Sequence, residues 1–144
     1  DEVVEAVRGG TPYLGICVGL QLLFEEGEEA GGAKGLGILR GKVARLPAGQ
    51  KLPHIGWSPL RATPSAPPLF SAMDGAYVYF AHSYAAPADA SVTAGTTDFD
   101  GPFCAAVSRG NLLATQFHPE KSGAAGHAFL KSVLSGRGSL ARAA

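Results

Sequence analysis

The chain has 144 residues and a mass of 14.7 kDa, enough for one compact domain but not for two independent cores. Hydrophobic residues make up 46% and charged residues 17%, which excludes the low hydrophobicity and high net charge of a disordered chain. Twelve basic and twelve acidic side chains cancel, so no whole-chain field exists to gather nucleic acid or an anionic membrane.

Cys17 and Cys104 are far apart and form no C-x-x-C pair, which argues against a disulfide scaffold or zinc knuckle and for a reducing, cytoplasmic setting. No apolar run approaches the roughly 18 to 20 residues that a membrane span needs. The sequence opens on Asp1 and its only methionine is Met73, from which it is expected to be a piece lacking its natural start.

In chain order, Val3, Val4 and Val7 recur at helical spacing over residues 1–8, and Gly9 with Gly10 predicts the stop. Thr11 to Ile16 (TPYLGI) is a short, mostly apolar run suited to a strand covered on both faces. From Val18 the repeat of Leu20, Leu23 and Phe24, with Glu25, Glu26, Glu28 and Glu29 on the wet side, predicts an amphipathic helix. Glycines at 31, 32, 35, 37 and 41 punctuate the next stretch, and LGILRGKVARL predicts an antiparallel hairpin. Pro53 to Trp57 (PHIGW) is expected to interrupt that pattern, and Pro64, Pro67 and Pro68 to mark a loop. Strands are predicted over Tyr77 to Tyr84 (YVYFAHSY), Ser91 to Thr97, Phe103 to Val107 and Leu112 to Phe117, with turns at Asp98 to Gly101 and Arg109 to Asn111. A last helix is predicted from Gly123 to Leu134, followed by a small-residue tail.

Gly15-Ile16-Cys17-Val18-Gly19 is G-x-C-x-G between a predicted strand and a predicted helix, the sulfur counterpart of the G-x-S-x-G nucleophile turn. Such a bend displays its central side chain, and glycines on both sides remove Cβ atoms that would collide. The N-terminus of the following helix is expected to favour thiolate over thiol at Cys17 and to offer a donor to an oxyanion. The competing reading is a cysteine that fills a small apolar site. His118-Pro119-Glu120, at the end of a predicted strand, supplies an imidazole to move protons and a carboxylate to orient it. Purely local capping roles for that tripeptide are the alternative. His54 and His82 read as structural or peripheral, His127 as an exposed helix residue, and Cys104 as core. No acidic or histidine cluster has metal-ligand spacing, so neither a metal nor a cofactor is expected.

With GICVGLQ and QFHPEKS together, the chain resembles the class I, triad-type glutamine amidotransferases over nearly its whole length. Within them, LPHIGW, YVYFAHSY and HPEKS are most similar to the glutaminase subunits that serve histidine biosynthesis. The resemblance implies a single α/β domain over 1–144, with a three-layer fold and a mixed, largely parallel central sheet plus antiparallel strands. It implies that Cys17 is the nucleophile on glutamine, His118 the proton shuttle and Glu120 its orienter. Gln21 and His82-Ser83-Tyr84 would hold the substrate, and the Val18 N–H would be one oxyanion donor. It also implies delivery of ammonia to a (β/α)8-barrel cyclase in a heterodimer, with His54, Trp57 and Lys121 as candidates for the docking face. Trp57 reads equally well as a core aromatic. A triad amidotransferase of another pathway, a γ-glutamyl hydrolase, and an inactive scaffolding subunit remain as alternatives. The family's amino-terminal strand, helix and Gly-rich loop, source of a second oxyanion donor, have no counterpart in the sequence. Residues 1–144 alone are therefore expected to have little glutaminase activity and poor solubility.

Overall fold

The computed structural model describes residues 1–47 and 49–136, and the predicted tail lies largely outside them. Helix α1 (Glu2–Arg8) is capped by Asp1, whose carboxylate accepts from the N–H of Val3 at 2.8 Å, and ends at Gly9 as expected. Strand β1 (Tyr13–Ile16) leads into α2 (Val18–Gln21), and strands β2 (Phe24–Gly27), β3 (Ala33–Lys34) and β4 (Leu39–Arg45) follow. After these come β5 (His54–Pro59), β6 (Arg61–Ala62), α3 (Pro68–Ser71), β7 (Tyr77–His82), β8 (Tyr84–Ala85), β9 (Thr93–Asp98), β10 (Pro102–Arg109) and β11 (Leu112–Thr115). A 3-10 turn over Pro119–Lys121 precedes α4 (Gly123–Leu134).

The main sheet has the order β1-β11-β10-β9-β6, a second runs β3-β2-β4-β8, and β5 pairs with β7 as a ribbon. Among the described residues β1–β11 and β2–β4 pair in parallel and the other strand pairs are antiparallel. The sheet is thus mixed, as expected, with a smaller parallel share. Alternation along its central strands feeds two cores. On one face Leu113, Phe103 and Ala105 meet Phe70 of α3, Phe80 of β7, and Phe129 and Val133 of α4. On the other, Leu112, Ala114, Cys104 and Val107 meet Val7, Leu20, Phe24, Leu39 and Val43. Helices and secondary strands therefore cover both faces of the main sheet.

Three local expectations are corrected. The amphipathic helix from Val18 stops after Gln21, because the returning backbone claims the carbonyls that helical bonds would have used. Leu36, Leu39 and Gly37 donate to the oxygens of Leu22, Leu23 and Phe24, and a Cβ on Gly35 would collide with the Phe24 carbonyl. Glu25 and Glu26 are accordingly strand residues. LGILRGKVARL forms no hairpin. It contributes one strand, β4, in which Gly41 (φ 131°) leaves room for the Phe24 ring rather than making a turn. PHIGW does not interrupt the sheet structure: it opens β5, which registers with β7 from His54–His82 to Pro59–Tyr77.

Candidate active site

The site begins with an extension of the parallel ladder. Ile16 is level with Thr115, and the Cys17 N–H donates to the Thr115 carbonyl at 2.8 Å, so Cys17 emerges at the C-terminal end of β1 beside the end of β11. The chain then reverses sharply. Cys17 has φ 55° and ψ −106°, a conformation rarely adopted by a residue with a Cβ. Gly15 makes the bend possible, since a Cβ there would stand 2.5 Å from the Gly19 oxygen and 2.8 Å from the Tyr13 ring. Gly19 is less constrained than expected, its Cβ position being in ordinary contact with the Tyr13 hydroxyl at 3.7 Å. That hydroxyl fastens the bend by donating to the Gly19 carbonyl at 2.6 Å.

The surroundings of the sulfur work against the expected thiolate as well as for it. Burial pushes the Cys17 thiol up, and the Glu120 and Glu29 carboxylates push the same way, against the Val18 N–H and the Gln116 amide. A four-residue α2 does not offset this. A nucleophilic role for Cys17 would therefore call for a base to remove its proton.

Downstream of β11 the backbone carries Gln116, Phe117 and His118. The His118 N–H donates to the Tyr79 carbonyl at 2.9 Å, and Ser122 Oγ donates to the His118 carbonyl at 2.6 Å while accepting from the Tyr79 N–H at 3.0 Å. The histidine backbone is thus held to β7. His118 Nδ1 lies 3.0 Å from Glu120 Oε2. With the carboxylate ionised, that nitrogen carries the hydrogen and leaves Nε2 to accept a proton. The Pro119–Lys121 turn presenting Glu120 rests on α4 at Gly126, where a Cβ would collide with the Pro119 carbonyl and stand 2.8 Å from Ser122 Cβ.

Two predicted residues are buried, which fits the structural reading of the sequence and not the exposed roles that the resemblance implied. His54, a candidate for the docking face, is 5% exposed and stacks on Phe80. Ile55 and Trp57 take the outer face of the ribbon, because successive residues of β5 point to opposite faces, with Gly56 and Ser58 half-buried on the side of His54. His82, expected to hold substrate, is 6% exposed, with Nδ1 2.9 Å from the Tyr84 oxygen and Nε2 3.0 Å from His54 Nδ1. Both its ring nitrogens are engaged within the protein. A carbonyl can only accept, so His82 Nδ1 carries the hydrogen, His54 Nδ1 donates to His82 Nε2, and Ser58 donates to His54 Nε2 at 3.0 Å.

This neutral pair makes the fold acid-sensitive. Burial, chiefly, pushes His82 down to about 4 from an ordinary 6.5. Above pH 6.5 the group is neutral folded or unfolded. As pH falls from 6.5 toward 4, only the unfolded chain takes up the proton, so stability declines through that window by about 3 kcal/mol. Urea midpoints measured between pH 7 and 4 are expected to fall, and His82→Asn to flatten the decline.

Gln21 and the His82-Ser83-Tyr84 segment do meet: Gln21 Nε2 donates to the Tyr84 carbonyl at 3.0 Å and to Gln116 Oε1 at 3.1 Å. Gln116, Ser122 and Gly126 were not expected at the site. The first lies inside the QFHPEKS string, but an amide ending an apolar strand carries no signal of its destination. A cavity of about 120 Å³ opens beside Val18 and Gln21, with Glu26, Glu29 and Lys34 on its wall. Among the described residues no group of three or more His, Cys, Asp or Glu is gathered as a metal site, and no helix is long and apolar enough to cross a membrane. Trp57, Tyr79 and Lys121 form a cluster on the ribbon's outer face, the Trp57 and Tyr79 rings 5.8 Å apart and Lys121 Nζ 5.9 Å from the Tyr79 centroid.

Comparison with known proteins agrees with this geometry. The family described as "Glutamine amidotransferase class-I" matches residues 2–134. The imidazole glycerol phosphate synthase subunit HisH of Deinococcus radiodurans is 53% identical over 131 residues, covering 89% of this chain and 61% of its own length. The HisH subunits of Rhodopirellula baltica and Syntrophotalea carbinolica are 51% and 48% identical, over 83% and 92% of this chain and 60% and 68% of theirs. The chain thus spans about 60% of the length of the first two relatives. A solved structure described as "Crystal structure of glutamine amidotransferase" superposes with a TM-score of 0.65 at 20% identity, over 94% of this chain and 67% of that one, and shares the fold. From the cysteine bend to the His-Pro-Glu turn, the chain belongs to the class-I glutamine amidotransferase family.

Proposed function

We propose that this chain acts as the glutaminase of imidazole glycerol phosphate synthase, releasing ammonia from glutamine for a cyclase partner in the cytoplasm. The observation that carries the reading is the strained Cys17 at the end of β1, beside the strand whose continuation bears the hydrogen-bonded His118–Glu120 pair.

In this reading His118 Nε2 takes the Cys17 proton as Sγ adds to the side-chain carbonyl carbon of glutamine. The tetrahedral oxyanion accepts the Val18 N–H. His118 passes the proton to the amide nitrogen, the C–N bond breaks, and ammonia leaves a glutamyl thioester. Water then adds to the thioester with His118 as base, and loss of the sulfur, reprotonated by His118, gives glutamate. The net reaction is glutamine plus water to glutamate plus ammonia. Glu120 holds the imidazole in the tautomer this requires. The cavity beside Val18 and Gln21 suits the head of an amino acid, with Glu29 and Glu26 for its ammonium group and Lys34 for its carboxylate.

Ammonia that reaches water becomes ammonium and loses its lone pair, which favours a partner docked over the site. The ribbon face with exposed Ile55, Trp57 and Tyr77 is our docking surface for a (β/α)8-barrel cyclase, with Lys121 at its side. Trp57→Ala is expected to weaken partner binding by about 2 kcal/mol, roughly 30-fold, in a titration of the two subunits. The deciding experiment combines the full-length protein with the cyclase and asks for imidazole formation driven by glutamine. Glutamine use coupled only to a different synthase would move the assignment to another pathway, and hydrolysis of γ-glutamyl peptides in place of glutamine would make it a hydrolase.

A further inference from the structure

The polarity of one buried amide follows from a chain of hydrogen bonds whose first acceptor is unambiguous. The Tyr84 carbonyl can only accept, so the Gln21 side-chain atom 3.0 Å away must be Nε2. That nitrogen has only hydrogens to offer, so the Gln116 atom 3.1 Å from it must be Oε1. The other end of the Gln116 amide, its Nε2, is thereby turned toward Cys17 Sγ at 3.6 Å. Gln116 is completely buried, and its backbone N–H is fixed on the Ala105 carbonyl at 2.9 Å. Flipping the amide would set two oxygen-bearing or two nitrogen-bearing groups against each other around a side chain that is itself cut off from water.

We propose that Gln116 is a catalytic hydrogen-bond donor to the Cys17 sulfur, and that Gln21 is the positioning residue that keeps the amide N–H side turned toward it. The inference rests on the reading of Cys17 as nucleophile. It adds a fourth side chain to the cysteine, histidine and glutamate, and it gives Gln21 a task before substrate arrives. An N–H aimed at sulfur stabilises the anion that forms when His118 removes the proton, and it opposes the effects of burial and of the two carboxylates acting on Cys17, Glu29 and Glu120. A carboxylate at position 116 would reverse the polarity while keeping the shape.

The test is the pH dependence of alkylation of Cys17 by iodoacetamide in the full-length protein, followed on the Cys17 peptide by mass spectrometry so that buried Cys104 does not enter. Gln116→Met removes the donor and is expected to raise the alkylation midpoint by about one pH unit, a tenfold smaller thiolate fraction near neutrality. Gln116→Glu should raise it further. Gln21→Met, which releases the amide to turn over, should raise it by less, and the Gln21→Met/Gln116→Met double variant should be no worse than Gln116→Met alone. Thermal melts establish that each variant is folded, and Gln116→Met remains informative where the buried carboxylate prevents folding. An unmoved midpoint in folded Gln116→Met would overturn the proposal, as would additive shifts in the double variant for the part assigned to Gln21. Alkylation needs no glutamine turnover, so a failure of the glutaminase reading would instead show as an unaltered protein that alkylates at Cys17 but hydrolyses no glutamine, and a failure of the nucleophile reading as glutamine hydrolysis surviving Cys17→Ala.

Discussion

Cys17→Ala in the full-length protein is expected to abolish glutamine hydrolysis, by a factor of about 10⁴ or more, while synthesis driven by added ammonia in the complex continues. The separation follows from the proposed chemistry, in which the sulfur forms the bond that releases ammonia and a cyclase supplied with ammonia has no need of it. His118→Ala should approach the same loss, because burial disfavours the thiolate of Cys17 and the imidazole is the base proposed to take its proton. Glu120→Gln should cost less, about 10²-fold, since the carboxylate is exposed and orients the ring rather than carrying the proton. Glutamate release and ammonia-dependent synthesis, assayed in parallel, check all three. Glutamine hydrolysis that persists in Cys17→Ala would remove the nucleophile assignment.

The second large effect lies outside the reacting groups. In an unconstrained helix Gly→Ala adds stability, by up to about 1 kcal/mol. Gly126→Ala in α4 is expected to do the opposite, lowering stability by about 2 kcal/mol, because its Cβ would press on the Pro119 carbonyl and Ser122. Pro119 stands between His118 and Glu120, so displacement of the turn should also misplace the imidazole and reduce turnover by about 10²-fold. Urea denaturation and steady-state kinetics of the same variant measure both. Gly123→Ala serves as a comparison: its Cβ would meet nothing nearer than the Trp57 ring at 4.0 Å, so its effect should come from its φ of 60° alone.

What the sequence disclosed and what it concealed divide along physical lines. Elements whose partners are near in sequence, or whose pattern is strong, were legible: α1 with its glycine stop, the apolar β1, the β9–β11 meander and α4. The Cys17 bend and the His118–Glu120 pair were legible because close backbone approach requires glycine and a short Pro-fixed turn requires proline. The segment from Leu20 to Trp57 was misread where long-range pairing overrode local periodicity. Leu20, Leu23 and Phe24 do fall on one buried face, yet β4 determines how the backbone reaches it. His54 illustrates the same limit, since alternation on a ribbon hides one residue and exposes the next, and only the β5–β7 register decides which. Gln116 was unreadable because its role depends on Gln21 and Tyr84, each brought to it by a different element.

The backbone angle at residue 17 has a consequence for how such a sequence can change. Holding a side chain at φ 55° opposes folding by about 1 to 3 kcal/mol, which a glycine there would largely relieve. Selection for heat resistance alone would therefore drift toward erasing the thiol, and in the proposed function only a continuing demand for the reaction would hold it in place. A lineage freed from that demand would gain durability with its first substitution here, so loss of chemistry at this bend would be a downhill step and its recovery an uphill one.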